Sequence, residues 1–125
     1  MESRAVKKVL IVEPDLAAGM ACFRAFAVAG FHAEHVASGI KALSILDRVR
    51  PDVIVVNLLL RDNQAFAFLE NLRSHPRTKT LPVVAFARGN ATHLVGKAHA
   101  AGANDYVVLG ARGADELVSA IKRLM

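Results

Sequence analysis

Five short strand-like segments alternate along the chain with stretches of helical periodicity, and that alternation restricts the fold more than any other property. Val9-Leu10-Ile11-Val12 is the first, a continuous apolar run, as is the Val53 to Val56 part of the third, Asp52 to Asn57; Phe31 to Val36, Leu81 to Ala87 and Ala103 to Val108 are the others. Continuous apolar runs of this length suit strands buried on both faces. Between them, Pro14 and Asp15 give a turn and a helix start, and the segment runs to Ala29, with Gly30 as its stop. Ser38 is an N-cap candidate for a second helix carrying Ile40, Leu43, Ile45, Leu46 and Val49, which Arg50-Pro51 ends. Phe66, Phe68, Leu69 and Leu72 form the inward face of a third helix that frays toward His75-Pro76. Asn90 caps a fourth reaching Ala101, weakened by Gly96. Asp115 to Leu124 is the last, with Lys122 and Arg123 opposing its dipole.

Strand and helix units joined by short loops demand parallel strands with right-handed crossovers and helices on both faces. The predicted fold is therefore α/β, a flavodoxin-like doubly wound five-stranded sheet, (βα)5, for which 2-1-3-4-5 is the usual order. A length of 125 residues suits one domain spanning 1–125, and no linker or longer repeat divides it. With 54% hydrophobic but only 6% aromatic residues, the interior is built from Ala, Val, Leu and Ile. The single cysteine, Cys22, lies among Met20, Phe23 and Phe26 and reads as core; no internal disulfide is possible, and a reduced cytoplasmic setting fits. No signal peptide or apolar stretch near the roughly 20 residues of a membrane span appears, so no membrane role is expected. The net charge of +5 is spread through nearly every segment, without a basic block or helix-turn-helix. This segment is accordingly expected to bind no nucleic acid.

In such a fold the reactive groups stand just beyond the carboxyl ends of the strands. There the run Val53-Ile54-Val55-Val56 ends on a carboxamide, Asn57, which cannot serve as a carboxylate nucleophile or a strong metal ligand. Lys8 to Glu13, Gly39-Ile40-Lys41-Ala42-Leu43, Pro51 to Val56, Leu81-Pro82-Val83-Val84 and Gly102-Ala103-Asn104-Asp105-Tyr106 resemble, in order and spacing, the receiver domains of two-component response regulators. The resemblance covers essentially the whole chain. It implies a phosphoryl group passed from a histidine kinase to an aspartate after the third strand, with a magnesium ion held by acids after the first. On this chain the acidic pair falls on Glu13 and Pro14, the acceptor on Asn57, the hydroxyl on Ala87, and the lysine and proline on Leu109 and Gly110. In the loop after the acceptor, the usual proline and glycine fall on Arg61 and Ala65. Phosphotransfer should be absent, no cofactor or metal is expected, and the chain is read as a degenerate receiver and not an enzyme.

Each residue also has a plainer role. Asn57 would hydrogen-bond loop backbone at the strand end. Glu13 is either an exposed leftover acid or the partner of an arginine. His32 and His35, three apart on a strand, point to opposite faces and make no metal site. Arg61, Arg88 and Arg112 fall in the loops after the third, fourth and fifth strands, beside Gly89 and Gly110, and form an anion rim in an alternative reading as a small-anion or nucleotide sensor. A third reading keeps a working receiver phosphorylated at a displaced acid, Asp15. The leading function is a phosphorylation-independent signalling adaptor. Its output surface, implied by the resemblance, is the fourth helix, fifth strand and fifth helix, presenting His93, Lys97, His99, Tyr106 and Lys122 to signalling proteins. A homodimer and an output domain beyond residue 125 both stay open. With Ala87 in place of a hydroxyl, Tyr106 should hold one rotamer.

Overall fold

The computed structural model describes residues 7–59, 64–89 and 92–125. Five parallel strands, β1 (Lys8–Val12), β2 (His32–Val36), β3 (Val53–Asn57), β4 (Val83–Arg88) and β5 (Asp105–Leu109), stand in the order β2-β1-β3-β4-β5. Helices α1 (Leu16–Val28), α2 (Gly39–Leu46), α3 (Gln64–Ser74), α4 (Val95–Ala101) and α5 (Ala114–Leu124) connect and follow them. This is the flavodoxin-like sandwich that the alternating runs require.

Side chains alternate across the sheet and so divide the core in two. Val9, Ile11, Val53, Val55, Val84 and Phe86 meet α1 and α5 through Cys22, Phe26, Leu117 and Ile121. On the other face, Leu10, Val12, Ile54, Val56, Ala85 and Ala87 meet Ala42, Leu46, Phe68, Leu69, Leu72 and Ala98. Every residue of β3 is buried, as its uninterrupted apolar sequence requires.

Several boundaries differ from expectation for local reasons. Helix α2 closes at Leu46, well before Val49, because Pro51 excludes the helical region for Arg50 and the chain must already be extended to enter β3. Pro82 lacks an N–H, so β4 begins at Val83, and it runs one residue further than expected, to Arg88. The expected fourth helix is a 3₁₀ turn over Thr92–Leu94 followed by α4; its proposed cap, Asn90, lies outside the described residues. Ser38 does cap α2, accepting from the Lys41 N–H at 3.2 Å, and Asp15 caps α1, accepting from the Ala18 N–H at 2.8 Å. Ile40, expected on the apolar face, is 72% exposed.

The strand amino ends are held by one side chain that the sequence does not advertise. Arg73, in the last turn of α3, donates to the carbonyls of Gly102 (2.8 Å), Lys79 (3.0 Å) and Leu81 (2.7 Å) and to Asn104 Oδ1 (2.9 Å). Asn104 Oδ1 also accepts from the Val83 N–H at 2.8 Å, so this cluster ties the entries of β4 and β5 together. Gly102 closes α4 at φ +117°, and a Cβ there would lie 2.5 Å from Arg73 Cγ. Replacing Arg73 by Met should therefore lower stability by roughly 2 kcal/mol, since the freed carbonyls are only partly reached by water. Urea denaturation would show this as a lower midpoint at unchanged slope; an unmoved midpoint would deny the clamp its structural role.

Candidate functional site

The carboxyl ends of β1, β3, β4 and β5 bring Glu13, Asn57, Arg88 and Leu109 to one pole of the sheet. Glu13 follows the last residue of β1, its N–H donating to the Val36 carbonyl at 3.0 Å. It is 1% exposed, which overturns the reading of a leftover acid in solvent. A carboxylate withdrawn from water must be hydrogen-bonded or paired, and this one is both. Asn57 Nδ2 donates to its two oxygens at 3.0 and 3.2 Å, the Asp15 N–H donates at 3.1 Å, and Arg88 Nη1 stands 3.9 Å from Oε1. Arg88 is half exposed, so this ion pair is screened and contributes little beside the amide bonds.

Asn57 uses both ends of its carboxamide. Its Oδ1 accepts from the Leu59 N–H at 2.8 Å while Nδ2 faces Glu13. The orientation is fixed by chemistry: the backbone N–H needs an acceptor and the carboxylate needs a donor. The loop-backbone bond expected for Asn57 is present, but the bond to Glu13 was not foreseen. Behind Glu13, His35 Nε2 lies 2.8 Å from the Glu13 carbonyl. Its ring fills the space that the absent side chain of Gly19 leaves in α1, where a Cβ would sit 2.3 Å from Nε2. His32, three residues before His35, lies on the other face of the sheet beside Ile45, Val49 and Pro51, as the strand spacing predicts.

The remaining site positions are apolar. Ala87 is wholly buried in the cluster beneath α3 and α4, and Leu109, the last residue of β5 and not part of the following loop, is 5% exposed in the opposite cluster. Pro14 is exposed. A hard divalent cation seeks several anionic oxygens. Here it would meet one carboxylate, already bonded to an amide and facing a guanidinium, with a proline as neighbour; these residues do not fit magnesium. Among the described residues no group of three or more His, Cys, Asp or Glu stands together in a metal-binding arrangement.

Arg61 lies outside the described residues, Arg88 closes β4 and faces Glu13, and Arg112 is exposed after β5. The backbone donors of that last loop already hold an internal anion, a contact that sequence reasoning missed. Glu116, in the first turn of α5, accepts from the Gly110 N–H at 3.0 Å and from the Arg112 N–H at 3.1 Å. The capping signal was visible only as an acid in a first helical turn. On the flank, His93, Lys97, His99 and Lys122 are exposed, and Tyr106 packs half-buried against the Ala87 cluster, its phenol raised above its usual pKa by desolvation. A further exposed feature is the outer face of α1, where Leu16 (69%), Met20 and Phe23 meet solvent although Met20 and Phe23 were read as core neighbours of Cys22.

Two measurements probe this geometry. Asn57→Asp would set a second carboxylate against Glu13 and raise the folded-state pKa of the new acid above its unfolded value. Stability relative to the original protein should then fall as pH rises through that raised pKa, by roughly 1–3 kcal/mol at neutrality, and recover in acid. Denaturation curves across pH 4 to 8, on the order of the carboxylate range and above, would show a pH-independent difference if Glu13 did not face residue 57. Burial pushes the Cys22 thiol from 9.0 up to about 11, the Glu13 carboxylate adding to the rise and Arg88 opposing it. The folded state thus holds this proton more tightly, so its stabilising effect is complete below pH 9.0 and is lost toward about 11. Thiol labelling at mildly alkaline pH should proceed only through unfolding, and rapid labelling of the native protein would place Cys22 outside the core.

Among the described residues no helix is long and apolar enough to cross a membrane. No curated protein sequence matches the chain. The chemotaxis response regulator CheY4 of Vibrio cholerae is similar in structure (TM-score 0.87) at 21% identity, over 97% of this chain and 100% of that one. A signal receiver domain of a Syntrophus aciditrophicus signal-transduction histidine kinase is 26% identical with TM-score 0.83, over 95% and 89% of the two chains. The receiver domain of a Pseudomonas aeruginosa sensor histidine kinase, with a magnesium ion coordinated in its active-site cleft, is 22% identical with TM-score 0.82, over 95% and 97%. Residues 9–122 match the response regulator receiver domain, and the chain belongs to that family.

Proposed function

We propose that this receiver domain works as a phosphorylation-independent interaction module, a degenerate receiver held in one state. The observation that carries the reading is the Asn57–Glu13 pair: the amide donates to the very carboxylate that a cation would need, at 3.0 and 3.2 Å. An amide cannot become an acyl phosphate, so the covalent step loses its acceptor. The displaced acids are poor substitutes. Asp15 is engaged as the cap of α1, and Glu13 is buried behind its hydrogen bonds. With Leu109 and Ala87 in place of a cation and a hydroxyl, the cation near the cleft is Arg88, which already faces Glu13.

The interaction face follows from the same logic. A change of state needs a ligand that distinguishes two states, and the cleft lacks groups to hold that ligand. Tyr106 and Ala87 share one apolar cluster, which supports a fixed aromatic beside the exposed His93, Lys97 and His99 of the α4 region and Lys122 of α5. That α4, β5 and α5 face is the proposed contact with signalling proteins.

Incubation with magnesium and a small phosphodonor should leave the intact mass unchanged, and amide resonances around Asn57, Tyr106 and Lys97 should stay in place. Acyl phosphate recovered on Glu13 or Asp15 would overturn the reading.

A further inference from the structure

We infer that the pole of the sheet opposite the Glu13 cleft is a binding surface for the phosphodiester backbone of a nucleic acid. Cations that look dispersed in the sequence are gathered there by the topology. In an all-parallel sheet the amino ends of all strands share one pole, together with the carboxyl ends of the helices. That pole receives Lys7 and Lys8 at the entry of β1, Arg48 and Arg50 between α2 and β3, and Arg77 and Lys79 between α3 and β4, all exposed.

Hydrogen bonds join these segments into one surface. Arg50 donates to the Arg77 carbonyl, and Arg77 Nη1 donates to the Asp47 carbonyl at 3.1 Å. The Asp52 N–H donates to the Lys8 carbonyl at 2.9 Å, and Lys8 lines the same shallow hollow as Val49 and Pro51. Arg73 spends its guanidinium inside the protein, on the Lys79 and Leu81 carbonyls, and so fixes the loop that presents Arg77 and Lys79. Arg50 and Arg77 each commit one donor to the backbone and keep others, a held fork that suits phosphate oxygens. Prior ordering lowers the entropy lost on binding. Asp47, Asp52 and Asp105 share this pole, and the six cations still outnumber them. A recess of about 200 Å³ between the ends of α2 and α3 is lined by Ser44, Asp47, Asn71, His75 and Arg77 together with the apolar Leu43 and Leu46.

The chemistry separates the candidate occupants. Protein interfaces are centred on buried apolar or aromatic anchors. Of the large exposed apolar side chains, Val28 at the end of α1 and Leu124 and Met125 at the end of α5 share this pole, but none lies within the cationic loops. Those loops, polar and positive and without an anchor of their own, match a nucleic-acid interface.

The test is fluorescence anisotropy of a labelled single-stranded RNA and a DNA duplex at low and at physiological salt. Sequence-independent binding with Kd of roughly 10⁻⁴–10⁻⁶ M is expected, weakening steeply with salt. The double variant Arg48→Gln with Lys79→Gln, whose side chains make no hydrogen bond described above, should lose at least about fivefold in affinity and flatten the salt slope by about 2. Arg24→Gln with Lys41→Gln removes the same charge from other faces and should change affinity by less than about twofold. Circular dichroism confirms that both variants fold. Equal losses in the two variants, no binding at low salt, or binding to phosphatidylserine vesicles but to neither nucleic acid would each overturn the proposal.

Discussion

The hydrogen bonds from Asn57 to Glu13 organise the whole carboxyl pole of this domain. A carboxyl group that is 1% exposed needs its oxygens met by donors, and the amide at the end of β3 supplies the nearest ones. Other features follow from that burial. Asp15 turns its N–H onto the same carboxylate as it caps α1, and Arg88 extends β4 by a residue to bring its guanidinium near. His35 secures the Glu13 carbonyl from beneath, and only a glycine at position 19 leaves room for that ring. Among the described residues, no buried side-chain polar atom lacks a partner.

The layers of the fold were legible because burial on both faces of a parallel sheet leaves no place for polar residues, so each central strand declares itself as an apolar run. Proline marked where helices must already have ended, as before Pro51, whereas Pro82 was read into the fourth strand, which begins only after it at Val83. The chemistry of the poles was less legible. Types of charge can be read from a sequence, but which charges meet depends on register and on rotamers. Glu13 was read as either an exposed acid or an arginine's partner, yet it is buried and held mainly by Asn57. Glu116 drew no reading from the sequence, yet it satisfies the backbone donors of the loop after β5. Arg73 looked like one of many surface cations, yet it braces two strand entries. The scatter of Lys and Arg along the chain likewise concealed their convergence once every strand points the same way.

On the proposed reading of a degenerate receiver, the cleft residues are intelligible as a set, and less so one at a time. A lysine at position 109 would have only the Glu13 carboxylate, already bonded to Asn57 and facing Arg88, while Leu109 joins the apolar cluster with Phe86 and Leu117. A hydroxyl at position 87 would need a partner within a wholly buried environment, while a methyl group needs none. An aspartate at position 57 would oppose Glu13 unless a cation intervened, and the proline after Glu13 removes the second acid that would help to hold one. Each replacement removes a group whose partner is also gone. The outcome is a pole whose polar contacts are closed internally, where Glu13 takes its hydrogen bonds from protein donors. In a sheet of this kind the core lies between the poles, in Val9 to Val12, Val53 to Val56 and Val83 to Ala87, so the pole can exchange its chemistry without loosening the strands that carry it. That separation explains how a receiver architecture can, as the proposed reading requires, carry a different set of residues in its cleft.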